Sequence, residues 1–97
     1  MPTYMSLINW TEQGIRNIKE SPKRLEAAKK SLKAMGGEVK AFYMLQGSYD
    51  AVLILEAPND AEMGKFLLKI GSAGNVRTTT MRAYSEAEYR KIIEGVA

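Results

Sequence analysis

Apolar and polar positions alternate along residues 3–10, Thr-Tyr-Met-Ser-Leu-Ile-Asn-Trp. A period of two predicts a β-strand, with Met5 and Leu7 beside Thr3 and Asn9 on one face and Tyr4, Ile8 and Trp10 on the other. Both faces carry apolar bulk. The period then lengthens. Thr11 suits the cap of a short helical turn containing Ile15 and Ile18, and Ser21-Pro22 gives a second start, with Ser as N-cap and Pro at the first helical position. The main helix is expected over residues 22–35. Leu25, Ala28, Leu32 and Met35 form its buried stripe, and Gly36-Gly37 supplies a left-handed stop.

Residues 39–46 and 49–57 read as two strands joined by Gly47-Ser48, a pair suited to a two-residue type II′ hairpin because glycine tolerates positive φ. Pairing Gln46 with Tyr49 then sets Leu45 opposite Asp50, Tyr43 opposite Val52 and Phe42 opposite Leu53. Pro58-Asn59-Asp60 opens a second helix, with Asn59 and Glu62 at capping-box-like spacing, an apolar side of Met63, Phe66, Leu67 and Ile70, and an end in residues 71–74. A last strand spans residues 76–83. Ser85-Glu86-Ala87-Glu88 starts a short C-terminal helix carrying Tyr89, Ile92 and Ile93.

Strand, helix, strand, strand, helix, strand is the split βαβ order of a ferredoxin-like α+β fold, here one domain over residues 1–97 with a four-stranded antiparallel sheet. Right-handed crossovers place both helices on one face, and the first and third strands are taken as a parallel central pair. The third strand, Ala51-Val-Leu-Ile-Leu, is apolar on both faces, so the uncovered side leaves a large apolar patch. A second copy packed sheet to sheet is the simplest cover, giving a homodimer; the alternative is a different partner or a ligand on that face.

The chain has 97 residues, 45% hydrophobic and 26% charged, the composition of a soluble globular domain with one core. No apolar run is long enough to cross a bilayer. The opening MPTYMSLINW has no basic leader or cleavage site, so a cytoplasmic location is expected. Cysteine and histidine are both absent. Disulfides, Cys/His zinc sites, His-ligated haem and His- or thiol-based nucleophilic catalysis are therefore excluded for this chain alone, and no metal or other cofactor is expected. The net charge of +3 comes largely from Lys23, Arg24, Lys29, Lys30 and Lys33 on the first long helix. Without interleaved aromatics or a recognised motif, that run reads as a solvated face, and neither nucleic acid nor membrane is expected as a partner.

From Gly47-Ser48-Tyr49-Asp50 through Ala-Val-Leu-Ile-Leu-Glu-Ala-Pro-Asn-Asp the chain resembles the GYD domain family of small, mostly bacterial proteins. Supporting stretches are Met1-Pro-Thr-Tyr, Gln13-Gly-Ile-Arg-Asn-Ile-Lys, Ser21-Pro-Lys-Arg-Leu-Glu-Ala-Ala-Lys, Lys40-Ala-Phe-Tyr and Gly74-Asn-Val-Arg-Thr-Thr-Thr. The resemblance implies a ferredoxin-like domain of the dimeric α+β barrel kind, of unknown function, and assigns no catalytic residue. The stretch from Gly47 to Thr80 also looks like the effector-binding domain of leucine-responsive-type regulators, without their DNA-binding helices.

Two constellations are candidate ligand sites. With the central pair parallel, the Gly47-Ser48 hairpin falls where the first strand begins and the fourth finishes, gathering Thr3, Tyr4, Tyr49, Asp50, Arg82 and Tyr84. A carboxylate, phenols and a guanidinium would orient a small polar ligand, and burial would raise Asp50 towards base work. The plainer reading is that Asp50 satisfies local donors and Tyr49 packs. Asn9, Trp10, Glu56 and Arg77 are expected at the opposite end, where a Trp wall with Asn and Arg donors suits a planar or anionic ligand. The plainer reading has Trp10 anchoring the following loop. Pro2, once freed of Met1, would be a tautomerase-like base near Asp50 and Arg82, an amine that Met1 blocks. The leading functional expectation is a homodimeric small-molecule-binding or accessory module; the rival is a cofactor-independent monooxygenase or isomerase working in a cavity between sheet and helices.

Overall fold

A computed structural model describes residues 1–97 as β1 (Thr3–Trp10), α1 (Glu12–Arg16), a 3₁₀ turn (Ile18–Glu20), α2 (Ser21–Ala34), β2 (Glu38–Met44), β3 (Ala51–Glu56), α3 (Asp60–Ser72), β4 (Val76–Ala83) and α4 (Glu86–Glu94). Caps explain most of the boundaries. The Thr11 hydroxyl accepts the Gly14 N–H at 3.0 Å and donates to the Gly74 carbonyl at 2.6 Å, so one residue starts α1 and ties it to the loop before β4. Asn59 Oδ1 accepts the Glu62 N–H at 2.9 Å, and Ser85 and Glu88 form a reciprocal capping box. Gly36, at φ +86°, ends α2: its N–H reaches Lys33 O at 3.0 Å while that of Gly37 reaches Leu32 O at 2.9 Å.

Ser21 departs from expectation. It lies inside the first turn of α2 and makes no capping bond, because the 3₁₀ turn runs straight into the helix and leaves Glu20 at the N-cap.

The sheet order is β2-β3-β1-β4 with every neighbouring pair antiparallel. The first and third strands are the central pair, as expected, but they are antiparallel, with Tyr4 opposite Leu55 and Ile8 opposite Ala51. The reason is geometric. A right-handed βαβ crossover makes β1 parallel to β2 and β3 parallel to β4, and the β2–β3 hairpin reverses direction once, so β1 and β3 must oppose each other. The hairpin register is the expected one, with Phe42 opposite Leu53 and Tyr43 opposite Val52, and it closes through the Leu45 N–H to Asp50 O at 2.8 Å with Gly47 at φ +141°. An irregularity between Val39 and Ala41 shifts Val39 opposite Leu55, where it packs on the core while Lys40 remains exposed.

Tyr4, Ile8, Leu53 and Leu55 from the sheet meet Leu32, Met63 and Phe66 from the helices, and this is the core. Buried among them, Ser6 exchanges a 2.8 Å hydrogen bond with Thr80 Oγ1, so its hydroxyl is satisfied. The opposite face of the sheet, with Met5, Leu7, Ala41, Tyr43, Val52, Ile54 and Met81, carries no helix of this chain. α4 projects from the end of β4, held at its start by Arg82 and Glu88 at 3.9 Å, and its Tyr89, Ile92 and Ile93 are each about half exposed. No helix is long and apolar enough to cross a membrane.

Candidate functional site

The helix side of the sheet is not packed solid. α2 presents Ala28 and Ser31 towards the sheet, with Ala27 at its exposed edge, and β3 offers Ala51, so small side chains meet where larger ones would interdigitate. The result is a cavity of about 270 Å³ between α2, α3 and the sheet, walled by Ile8, Trp10, Leu25, Phe42, Leu53, Ile70 and Val76. Such a volume lies just under the usual range of ligand pockets, about 300–1,000 Å³. Its polar residues are few: Ser21, Arg24, Ser31, Lys69 and Asn75.

Arg24 and Lys69 have no carboxylate within ion-pair distance, as is also true of Lys19, Lys30, Lys33, Arg77 and Lys91. The Arg24 guanidinium donates to Asn17 O at 2.9 Å and to Gly14 O at 3.3 Å, satisfying carbonyls that the short α1 leaves open. Ser31 Oγ is sealed from solvent and has no hydrogen-bond partner. A buried hydroxyl left in that state costs about 1–3 kcal/mol.

The antiparallel centre redistributes the residues singled out from the sequence. The Gly47–Asp50 turn sits where β1 finishes, and not where it begins: Asp50 Oδ2 accepts the Trp10 N–H at 2.9 Å, the Asp50 N–H donates to Ile8 O at 2.8 Å, and Asn9 Nδ2 donates to Ser48 O at 3.1 Å. Asn9, Trp10, Tyr49 and Asp50 therefore share one end of the sheet. Arg77 joins them, opposite Asn9 in the β1–β4 ladder. Glu56 does not. It pairs with Thr3 and Glu38 at the far end. Of the residues named as candidates, only Trp10 lines the cavity.

At that far end, Arg82 donates to Thr3 O at 3.2 Å and Ala83 O at 2.5 Å, and its guanidinium lies 4.5 Å from the Tyr84 ring centroid and 5.7 Å from that of Tyr4. Pro2 belongs here too, its carbonyl accepting the Ala57 N–H at 3.3 Å, well away from Asp50. The Tyr4 hydroxyl donates to the Asp60 carboxylate. Burial, reinforced by that carboxylate, pushes the Tyr4 phenol up to about 12 from 10.0. The folded chain thus keeps this proton where the unfolded chain loses it, so the contribution is complete below pH 10 and declines as pH rises through 10 towards 12. Urea unfolding at stepped pH should show the native chain losing stability across that window faster than Tyr4→Phe. Equal slopes would contradict it.

Sequence reasoning missed Ser31, Lys69 and Asn75 as wall residues and read Arg24 as one more solvated cation. A signal existed: Arg24, Ala28 and Ser31 fall at helical spacing, so a small-residue stripe with a cation at one end faces inward.

A four-stranded antiparallel sheet with helices on one face and a cavity beneath them defines a ferredoxin-like α+β domain. Residues 4–93 match the GYD domain model, and the chain belongs to the GYD domain family. It is 32% identical over 89 residues to the "Glutamine synthetase and cystathionine beta-lyase binding protein" of Thermus thermophilus, covering 91% of this chain and 94% of that one. In structure it is similar to the feast or famine regulatory protein of M. tuberculosis complexed with L-methionine, at a TM-score of 0.66 and 20% identity over 89% of this chain. The leucine response regulatory protein of Mycobacterium tuberculosis gives a TM-score of 0.65 and 18% identity over 87% of this chain. The chain spans about half the length of these regulators, 54% and 51%, and the likeness is one of fold.

Proposed function

We propose that this protein is a homodimeric module that binds a small, largely apolar molecule in the cavity between α2, α3 and the sheet. The observation that carries the reading is the cavity itself: about 270 Å³, with 11 hydrophobic residues among the 16 that line it. The rival reading as a cofactor-independent enzyme is less well supported, because the lining includes no Asp, Glu or Tyr to move a proton. Asp50 is instead bound to the Trp10 backbone at 2.9 Å. A ligand-binding role also accords with the L-methionine complex of the feast or famine regulatory protein, which has the same fold.

Self-association is supported by area. The chain exposes 6593 Å², whereas a monomer of 10.8 kDa is expected to expose about 5,500 Å². The excess, roughly 1,000 Å², is of the size one partner contributes to a stable interface, about 800 Å². The open apolar sheet face is the surface proposed for that interface, and the projecting α4 also adds to the exposed area. An accessory role, in which the module docks on an enzyme, is a second reading. It is favoured by the half-exposed Tyr89, Ile92 and Ile93 of α4 and by a relative whose name describes it as binding two enzymes.

Trp10 is the single tryptophan and lines the cavity, so its emission reports occupancy. Titration with small apolar molecules such as indane or octan-1-ol should change that emission saturably. Ala28→Leu, which fills the cavity from α2, should weaken binding at least tenfold while far-UV circular dichroism remains native. An unchanged titration in the filled variant would place the binding elsewhere and sink the cavity reading.

A further inference from the structure

We infer that the cavity's ligand is a carboxylate with an apolar body, a monoanion of about ten non-hydrogen atoms. This rests on the small-molecule reading above and specifies the chemistry of the molecule bound. Two cations, Arg24 and Lys69, line the cavity, and no acidic residue does. Neither cation is neutralised by a carboxylate of this chain, a state they share with Lys19, Lys30, Lys33, Arg77 and Lys91, but of these seven only Arg24 and Lys69 border the cavity. A positive potential at the edge of an apolar hollow attracts an anion and repels an amine, and the low-dielectric wall strengthens both effects.

Arg24 is also held in place. Its hydrogen bonds to Asn17 O and Gly14 O, at 2.9 and 3.3 Å, fix the guanidinium without neutralising it and leave further N–H donors uncommitted. Ser21, Ser31 and Asn75 are the other polar residues of the lining, all uncharged, and Ser31 Oγ is sealed off within the wall. A strongly hydrated dianion such as phosphate suits the site poorly, because the remaining wall is hydrocarbon and would strip its water without replacing it. A carboxylate on a hydrocarbon or aryl body matches both the two cations and the apolar wall.

The experiment compares three probes of one shape, octanoate, octan-1-ol and octylammonium, titrated against the full chain at pH 7 with Trp10 emission and calorimetry as readouts. Octanoate should bind at least tenfold more tightly than octan-1-ol, and octylammonium more weakly than either. The octanoate advantage should shrink several-fold at high salt and in Lys69→Gln, whose native side chain is exposed and forms no ion pair. Arg24→Lys, which retains charge but loses the fork, should shrink it further. Equal binding of octanoate and octan-1-ol would overturn the carboxylate assignment and leave the small-molecule reading standing. Preference for octylammonium would overturn it as well. Silence from all three probes in both readouts would sink the assignment and the cavity reading together.

Discussion

Replacing Gly14 by alanine is expected to cost about 3 kcal/mol of stability, near the top of the usual range for overpacking. A Cβ at that position would stand 1.9 Å from Asn75 O and 2.9 Å from Asn75 C, far inside contact distance. Both atoms are backbone, so no rotamer change relieves the clash. The two segments are also bonded to each other, Thr11 N–H to Asn75 O at 3.1 Å, and α1 would have to part from the loop before β4. The damage reaches the cavity by two routes, because Asn75 lines it and Gly14 O holds the Arg24 guanidinium. Chemical denaturation should therefore show a lower midpoint, and the titration of Trp10 should weaken in parallel. Gly64→Ala is the control. Its Cβ would meet nothing within 4 Å in the middle of α3, and it should stabilise by about 0.4–1 kcal/mol. A Gly14→Ala chain that unfolds at the native midpoint would show that α1 is free to move off the sheet.

Ile54→Glu should convert a dimer into a monomer. Ile54 lies opposite Met5 on one side and Ala41 on the other, in the middle of the face that no helix covers. In a two-fold sheet-to-sheet interface each copy would bring one carboxylate into the apolar centre, where unpaired charge is costly. Light scattering at micromolar concentration should give twice 10.8 kDa for the native chain and 10.8 kDa for the variant. Far-UV circular dichroism should be unchanged, since Ile54 is outside the buried core of the single chain. A native chain that is already monomeric at that concentration would remove the homodimer. An Ile54→Glu dimer that dissociates on Ile92→Glu would move the interface from the sheet to α4.

Local order was legible along the chain because it depends on near neighbours. Alternation in residues 3–10 identified β1 and both of its faces, and Thr11, Asn59 and Ser85 marked three helix starts through short-range hydrogen bonds. Ser21 misled because its capping role depends on what precedes it, and a 3₁₀ turn had already taken that place. The uncovered apolar face was likewise readable, since a strand apolar on both sides needs cover on both sides.

The candidate site was less legible. Its residues come from β1, β3, α2 and α3, and the direction of one central strand decides which of them meet. Taking β1 and β3 as parallel put Asp50 beside Tyr4 and Arg82; the antiparallel ladder puts it beside Trp10 and reduces it to a backbone tie. The cavity left still less trace, because a void is a shortfall of volume summed over Ala27, Ala28, Ser31 and Ala51, and no single residue announces it.

By itself, then, the sequence determined the order of elements, the faces of the strands, the absence of thiol and imidazole chemistry, and the GYD kinship, all of which follow from residue type and short spacing. The antiparallel sense of the central strands was implicit in the element order and right-handed crossovers, but the tertiary structure alone decided the company Asp50 and Arg82 keep and the hollow under α2 with its two unpaired cations. Those depend on long-range register and on how volumes meet, which no local pattern encodes.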